Sequence, residues 1–227
     1  MSEQVCTEID QLQEARDYNK INELLEEALK TSPQDVELLW RLARYYYDKN
    51  EETSDKNQKK EYILKSIDTI EKCLTIDPEH WAVHKWWAIS TSAIGEYVTS
   101  KEKIANAFKI KEHALKSLEL KPKDPTTLHL LGRWCFSVAS IGFIERGVAS
   151  ALFGTPPQSS YEESLKYLLE AYEVDPTIIR NLIFIGDCYT NLKNQTKAKE
   201  FYQKAASAVP KSEFEKTLVE EAKKKAK

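Results

Sequence analysis

Apolar residues recur along most of this chain at spacings of three and four, which lays them on one face of an α-helix. Between Pro176 and Pro210, Leu182, Ile185, Gly186 and Tyr189 share one face of a predicted helix, and Ala198, Tyr202 and Ala205 share one face of a second. The small residues in both sets mark a close crossing, because two helices approach only where side chains are short and larger ones interlock above and below.

The same template recurs. Pro33, Pro78, Pro122, Pro176 and Pro210 each end a phrase akin to Leu-x-x-x-Pro or Ile-Asp-Pro. Ten residues after the first four stand Ala43, Ala88, Gly132 and Gly186; one residue earlier stand Leu42, Trp87, Leu131 and Ile185. Five residues before the five prolines stand Ala28, Cys73, Ser117, Ala171 and Ala205. Every position of the two small sets is small, which is the mark of an internal repeat. The 34 residues from Pro176 to Pro210 equal the period of a tetratricopeptide (TPR) helix pair. The pattern predicts an all-α chain, a right-handed α-solenoid of TPR-like helix hairpins. As a single domain it has units at about 2–32, 33–77, 78–121, 122–175 and 176–209 and a capping helix at 212–227. Proline spacings of 45, 44 and 54 place inserts of 11, 10 and 20 residues in three of the units.

In chain order, the first pair breaks near Ala15–Asp17. Ser32-Pro33 reads as an N-cap followed by proline at the first helical position. Asn50–Lys60 is polar, a loop or helix extension expected to be mobile, and residues 61–76 form the partner helix. Trp81–Glu96 is answered by Thr99–Leu120, whose Ile104, Ala107, Phe108, Ala114, Leu115 and Leu118 supply its apolar positions. Asp124-Pro125 starts another helix. An insert, Ile141–Ser160, carries Gly142, Gly147 and Gly154 beside Phe143, Ile144, Val148, Leu152 and Phe153. Ser160 with Glu163 reads as a reciprocal capping box, and Thr155–Ser159 as a loop. The last helix puts Phe214, Leu218 and Val219 on one side and ends in Lys223-Lys224-Lys225 and Lys227, which suit the negative helix terminus.

Composition narrows the function. Six glycines, 30% charged and 41% hydrophobic residues suit an all-helical protein, and a net charge of −3 argues against a globally basic nucleic-acid binder. Cys6, Cys73, Cys135 and Cys188 are widely spaced within helical patterns, so free thiols are expected rather than disulfides or zinc ligands. The first residues carry no signal-peptide pattern, and no apolar run reaches the length of a membrane span. His80 and His84 stand four apart, but Trp81 occupies the glutamate position of the zinc-protease pattern, so no metal site is expected. No phosphate loop, nucleophile elbow or paired-carboxylate signature is present; the chain reads as no enzyme, with no cofactor and no metal.

Four phrases in order, Ala82-Val83-His84-Lys85-Trp86-Trp87-Ala88-Ile89, Lys101-Glu102-Lys103-Ile104, His129-Leu130-Leu131-Gly132-Arg133-Trp134, and Gly154-Thr155-Pro156-Pro157 through Tyr161-Glu162-Glu163, resemble the regulator of microtubule dynamics family. The resemblance implies a TPR-like protein that associates with microtubules, tubulin and spindle proteins and serves the spindle in chromosome segregation. It implies a place in the cytoplasm, on the cytoskeleton, spindle and spindle poles. Some relatives carry an N-terminal membrane anchor; this sequence shows none and resembles the soluble type.

In a repeat stack the first helices line the concave side. Positions four, seven, eight and eleven after each proline then face it. Five of these sixteen residues are Arg or Lys, in a chain with more acids than bases. The expected partner groove is Trp40, Arg41, Arg44, Lys85, Trp86, His129, Arg133, Arg180 and Phe184, cationic and floored by aromatics for an acidic extended segment. The competing reading packs the tryptophans inside the stack with the cations snorkelling from it. A second function is a phospholipid carrier in which Ile141–Phe153, with Trp86, Leu130 and Phe136, roofs an apolar cavity and the cations hold the headgroup.

Overall fold

The computed structural model describes residues 2–227 and is helical, with no strand among the described residues. Twelve α-helices follow one another: α1 (Ser2–Ala15), α2 (Tyr18–Thr31), α3 (Val36–Glu52), α4 (Lys56–Ile76), α5 (Trp81–Ala93), α6 (Ser100–Leu120), α7 (Pro125–Ala139), α8 (Phe143–Leu152), α9 (Tyr161–Val174), α10 (Ile179–Asn191), α11 (Gln195–Ala206) and α12 (Glu213–Lys225). A 3-10 turn, Ile94–Tyr97, follows α5. The chain divides into two compact units, Met1–Val98 and Thr99–Lys227. The third expected hairpin, α5 with α6, is split between them.

In the first unit α3 packs on α4, and α5 packs on both; α2 pairs with α1 and leans on α3. In the second, α7 packs on α9 and α10 on α11, with α12 covering α11 and α10. The small positions are where these pairs cross. Ala43, Ala88, Cys73, Ala171 and Ala205 are fully buried. A Cβ on Gly132 would lie 2.5 Å from Leu168 of α9, and one on Gly186 would lie 2.4 Å from Tyr202 of α11. Each neighbour stands eight residues before the next repeat proline. Ser66 and Ser164, twelve before theirs, make a second repeated device. Ser66 Oγ donates to the Ala43 carbonyl at 2.8 Å and lies 2.7 Å from Ser90 Oγ. Ser164 Oγ donates to the Gly132 carbonyl at 2.7 Å and lies 3.2 Å from Cys188 Sγ. One buried hydroxyl thus ties three helices together in each case.

Several local expectations change. Ser32 closes α2 instead of opening α3, and its N–H donates to the Ala28 carbonyl. Asp35 caps α3, because its carboxylate takes two N–H groups, of Glu37 and Leu38. The Asp124-Pro125 start holds. Asn50–Lys60 is mostly helix, interrupted only at residues 53–55; Asn50 is buried and donates to the Lys59 carbonyl at 2.7 Å. Ser160 accepts the Glu163 N–H, but the Glu163 carboxylate binds Ser159 and Lys111. The complete capping box belongs to Thr99 and Glu102. In α6, Ala114 is buried but Phe108 and Leu115 face outward. All four cysteines are buried free thiols.

Candidate functional site

Five of the nine expected groove residues lie in the first unit. Glu37, Trp40, Arg41 and Arg44 rise along α3 at helical spacing, so the cations stack over one indole: the Arg41 guanidinium is 4.1 Å from the Trp40 ring centre and that of Arg44 is 5.2 Å away. Trp40 tilts against Trp81 at 6.2 Å, and the Lys85 ammonium sits 4.5 Å over Trp81 and 5.8 Å over Trp86. Trp81, which starts α5, joins the two halves of the cluster. The template passed over it, because it lies three residues after its proline.

Acids answer these cations. Arg41 makes a two-toothed pair with Asp10 of α1, at 3.1 and 2.6 Å, and a third contact with Glu37 at 2.7 Å. Arg44 shares Asp10 at 2.8 Å. Glu37 also takes the Trp40 indole N–H and lies 2.8 Å from His80 Nε2. Burial pushes the Asp10 and Glu37 carboxyls up, but these hydrogen bonds outweigh it and hold both below the usual range. Arg41 is only 8% exposed. Arg41 and Arg44 are therefore framework ion pairs. Asp10 escaped the sequence reading because the first hairpin has no leading proline to set its register. His80 and His84 do not converge on one point: His80 caps α5, and His84 Nε2 meets the Pro78 carbonyl at 2.8 Å.

The other four lie in the second unit. His129 of α7 packs edge-on to Phe184 of α10, with ring centres 6.1 Å apart, and the Arg133 guanidinium lies 5.6 Å over the same ring. Arg180 sits 4.6 Å over Phe214 of α12. The His129 ring is buried; Nδ1 lies 2.9 Å from Asn181 Oδ1, whose amide donates to the Leu168 carbonyl. That arrangement makes Nδ1 the donor and leaves Nε2 a buried acceptor. Burial, with Arg133 beside it, pushes the imidazole down to about 3, so His129 is neutral at physiological pH. The second unit carries 21 Lys and Arg against 16 Asp and Glu, and the first carries 12 against 20. A field that draws acids therefore belongs to the second unit.

The insert does not roof a cavity. α8 buries none of its residues, and Phe143, Ile144, Val148 and Leu152 point outward. Helical spacing alone cannot distinguish a face turned in from one turned out.

A family model, Regulator of microtubule dynamics protein 1-3, matches residues 5–227. The chain belongs to the regulator of microtubule dynamics family. It is 37% identical to regulator of microtubule dynamics protein 1 of Bos taurus over 222 residues, covering 97% of this chain and 69% of the relative. To protein 1 of Mus musculus it is 38% identical, covering 97% and 72%. To protein 3 of Rattus norvegicus it is 34% identical, covering 73% of this chain and 35% of that one. Among solved structures, a thermophilic TPR protein of Thermus thermophilus aligns with a TM-score of 0.65 at 16% identity over 98% of both chains. MamA aligns with a TM-score of 0.52 at 15% identity, over 87% of this chain and 91% of that one. The family member is thus a TPR-like helical-repeat protein with a role tied to microtubules.

Proposed function

We propose that the chain is a non-enzymatic microtubule-associated adaptor of spindle function and chromosome segregation, and that it binds an acidic partner segment such as a tubulin tail. The observation that carries this reading is the match to regulators of microtubule dynamics over nearly the whole chain. The side chains of the second unit favour an acidic ligand: Arg133 and Arg180 are half-buried and each lies on an aromatic face, where a carboxylate meets a cation and its apolar floor together, whereas Lys85 is as buried as Arg41 and packs within the first-unit cluster. Arg41 and Arg44 hold the first-unit cluster in shape, with Trp40 and Trp86 as its floor. His129 and Phe184 do the same for Arg133.

The test is microtubule co-sedimentation of the full chain carrying Arg133→Ala with Arg180→Ala. Each charge-assisted contact contributes about 1.5–3 kcal/mol when desolvated, so the double variant binds at least about tenfold more weakly at physiological salt. Equal binding by this variant and by a Lys101→Ala/Lys103→Ala control refutes the assignment of the contact.

A further inference from the structure

Helix α8 is the anomaly of the second unit. Phe143 is 93% exposed, Ile144 80%, Leu152 68%, Val148 51% and Phe153 40%. Residues 144, 148 and 152 recur every fourth position, so they make one continuous stripe, and Phe143 flanks its start about a quarter turn round the helix. The helix is held firmly. Arg146 turns inward and donates to three backbone carbonyls: Val138 at 3.0 Å, Pro156 at 3.2 Å and Pro157 at 2.8 Å. α8 leaves α7 at 93°. The Arg146 guanidinium is spent inside, and the exposed Glu145, one turn before Val148, is the charge of α8 that flanks the stripe.

The size and chemistry of this face select its occupant. With an aromatic side chain worth about 150–250 Å² of surface and an aliphatic one about half that, it offers on the order of 500 Å² of apolar area. A stable protein interface needs about 800 Å² on each side, so a second copy seated on this face alone falls short. A protruding helix also needs a matching groove on a protein, whereas lipid closes around any shape. Ten residues of helix span about 15 Å, half the ~30 Å of a bilayer core, and no single described helix is long and apolar enough to cross a membrane. α7 and α8 together reach that length, but they meet at 93° and α7 is largely buried in the second unit, so α8 fits the surface layer.

We infer that α8 is a membrane-docking helix whose outward face, Phe143, Ile144, Val148 and Leu152, inserts between the headgroups of a phospholipid bilayer. Because the stripe itself is apolar and a phosphatidylcholine surface carries no net charge for Glu145 to act on, the contact tolerates salt. The experiment is flotation of the full chain with phosphatidylcholine vesicles at about 0.15 M and about 0.5 M salt. Wild type floats equally at both, and Phe143→Ser/Ile144→Ser lowers the bound fraction about tenfold. Its melting temperature is unchanged, because neither side chain is packed. Failure of wild type to float, loss of flotation at the higher salt, or equal flotation of the double variant overturns the inference. So does a wild-type dimer that the variant loses while neither binds vesicles, which assigns the face to a second copy.

Discussion

Gly186→Ala tests the helix crossing most directly. The added Cβ lies 2.4 Å from Tyr202 Cε1, 2.6 Å from Cδ1 and 2.9 Å from Cζ, where carbon atoms rest at about 3.5–4.0 Å. The ring must retreat by roughly 1 Å, and it is pinned. Its hydroxyl donates to Asp187 at 2.7 Å and lies 3.0 Å from Thr190 Oγ1, and Lys225 holds the same Asp187 oxygen at 2.7 Å. Overpacking costs about 1–3 kcal/mol, and weakening a hydrogen bond to a carboxylate adds about 1 kcal/mol. Alanine returns about 1 kcal/mol through helix propensity. The net is about 2 kcal/mol of destabilisation, a fall of about 4–8 °C in melting temperature for a chain of this size. Urea unfolding followed by circular dichroism measures it. Gly147→Ala in α8 is the control: its Cβ meets nothing, so it is neutral or slightly stabilising. A Gly186→Ala protein as stable as wild type, or a Gly147→Ala protein equally weakened, would refute the crossing geometry.

Three other outcomes follow from the buried charges. Burial pushes Asp48 up from 3.8 to about 7, against its hydrogen bond from Gln13; the fold therefore keeps a proton that the unfolded chain has lost, and stability falls as pH rises from about 4 to 7. Asp48→Asn removes that fall and is more stable than wild type at pH 8, read from urea midpoints at pH 5 and 8. His129 works in the opposite direction: the unfolded imidazole gains its proton near 6.5 and the folded one only near 3, so stability is lost as pH drops below about 6.5. His129→Gln flattens that acid limb, measured by melting temperature between pH 7 and 4. Arg41→Ala, which leaves Asp10 to Arg44 alone, costs about 1–3 kcal/mol, discounted because Asp10 and Glu37 are over 40% exposed; an unchanged urea midpoint removes Arg41 from the framework.

Helix crossings were legible because only small residues permit them, so Ala43, Ala88, Gly132 and Gly186 announce them from spacing alone. The serines at 66 and 164 were legible in principle, two repeats apart at the same distance from their prolines, but a lone polar residue on an apolar face reads as noise until its two partners are known. Helix starts were less legible: proline follows a turn as readily as it begins a helix, and Asp35 and Asp124 both cap while only Asp124 precedes a proline. The groove residues came together within each unit as stacked pairs, yet their electrical state depended on Asp10, thirty-one residues from Arg41. The direction in which α8 faces was not legible at all.

The buried serines have a consequence for proton order. A hydroxyl has one hydrogen; Ser66 gives its own to Ala43, so the hydrogen between Ser66 and Ser90 must come from Ser90. In the second unit the same logic makes Cys188 the giver to Ser164. Burial keeps that thiol at about 11, well above neutral, and hence able to play the part. Alkylation of Cys188 would therefore do more than crowd the core: it would remove the hydrogen that Ser164 accepts and leave Ser164 with one hydrogen for two acceptors, whereas its counterpart, Ser90, gives its hydrogen from oxygen.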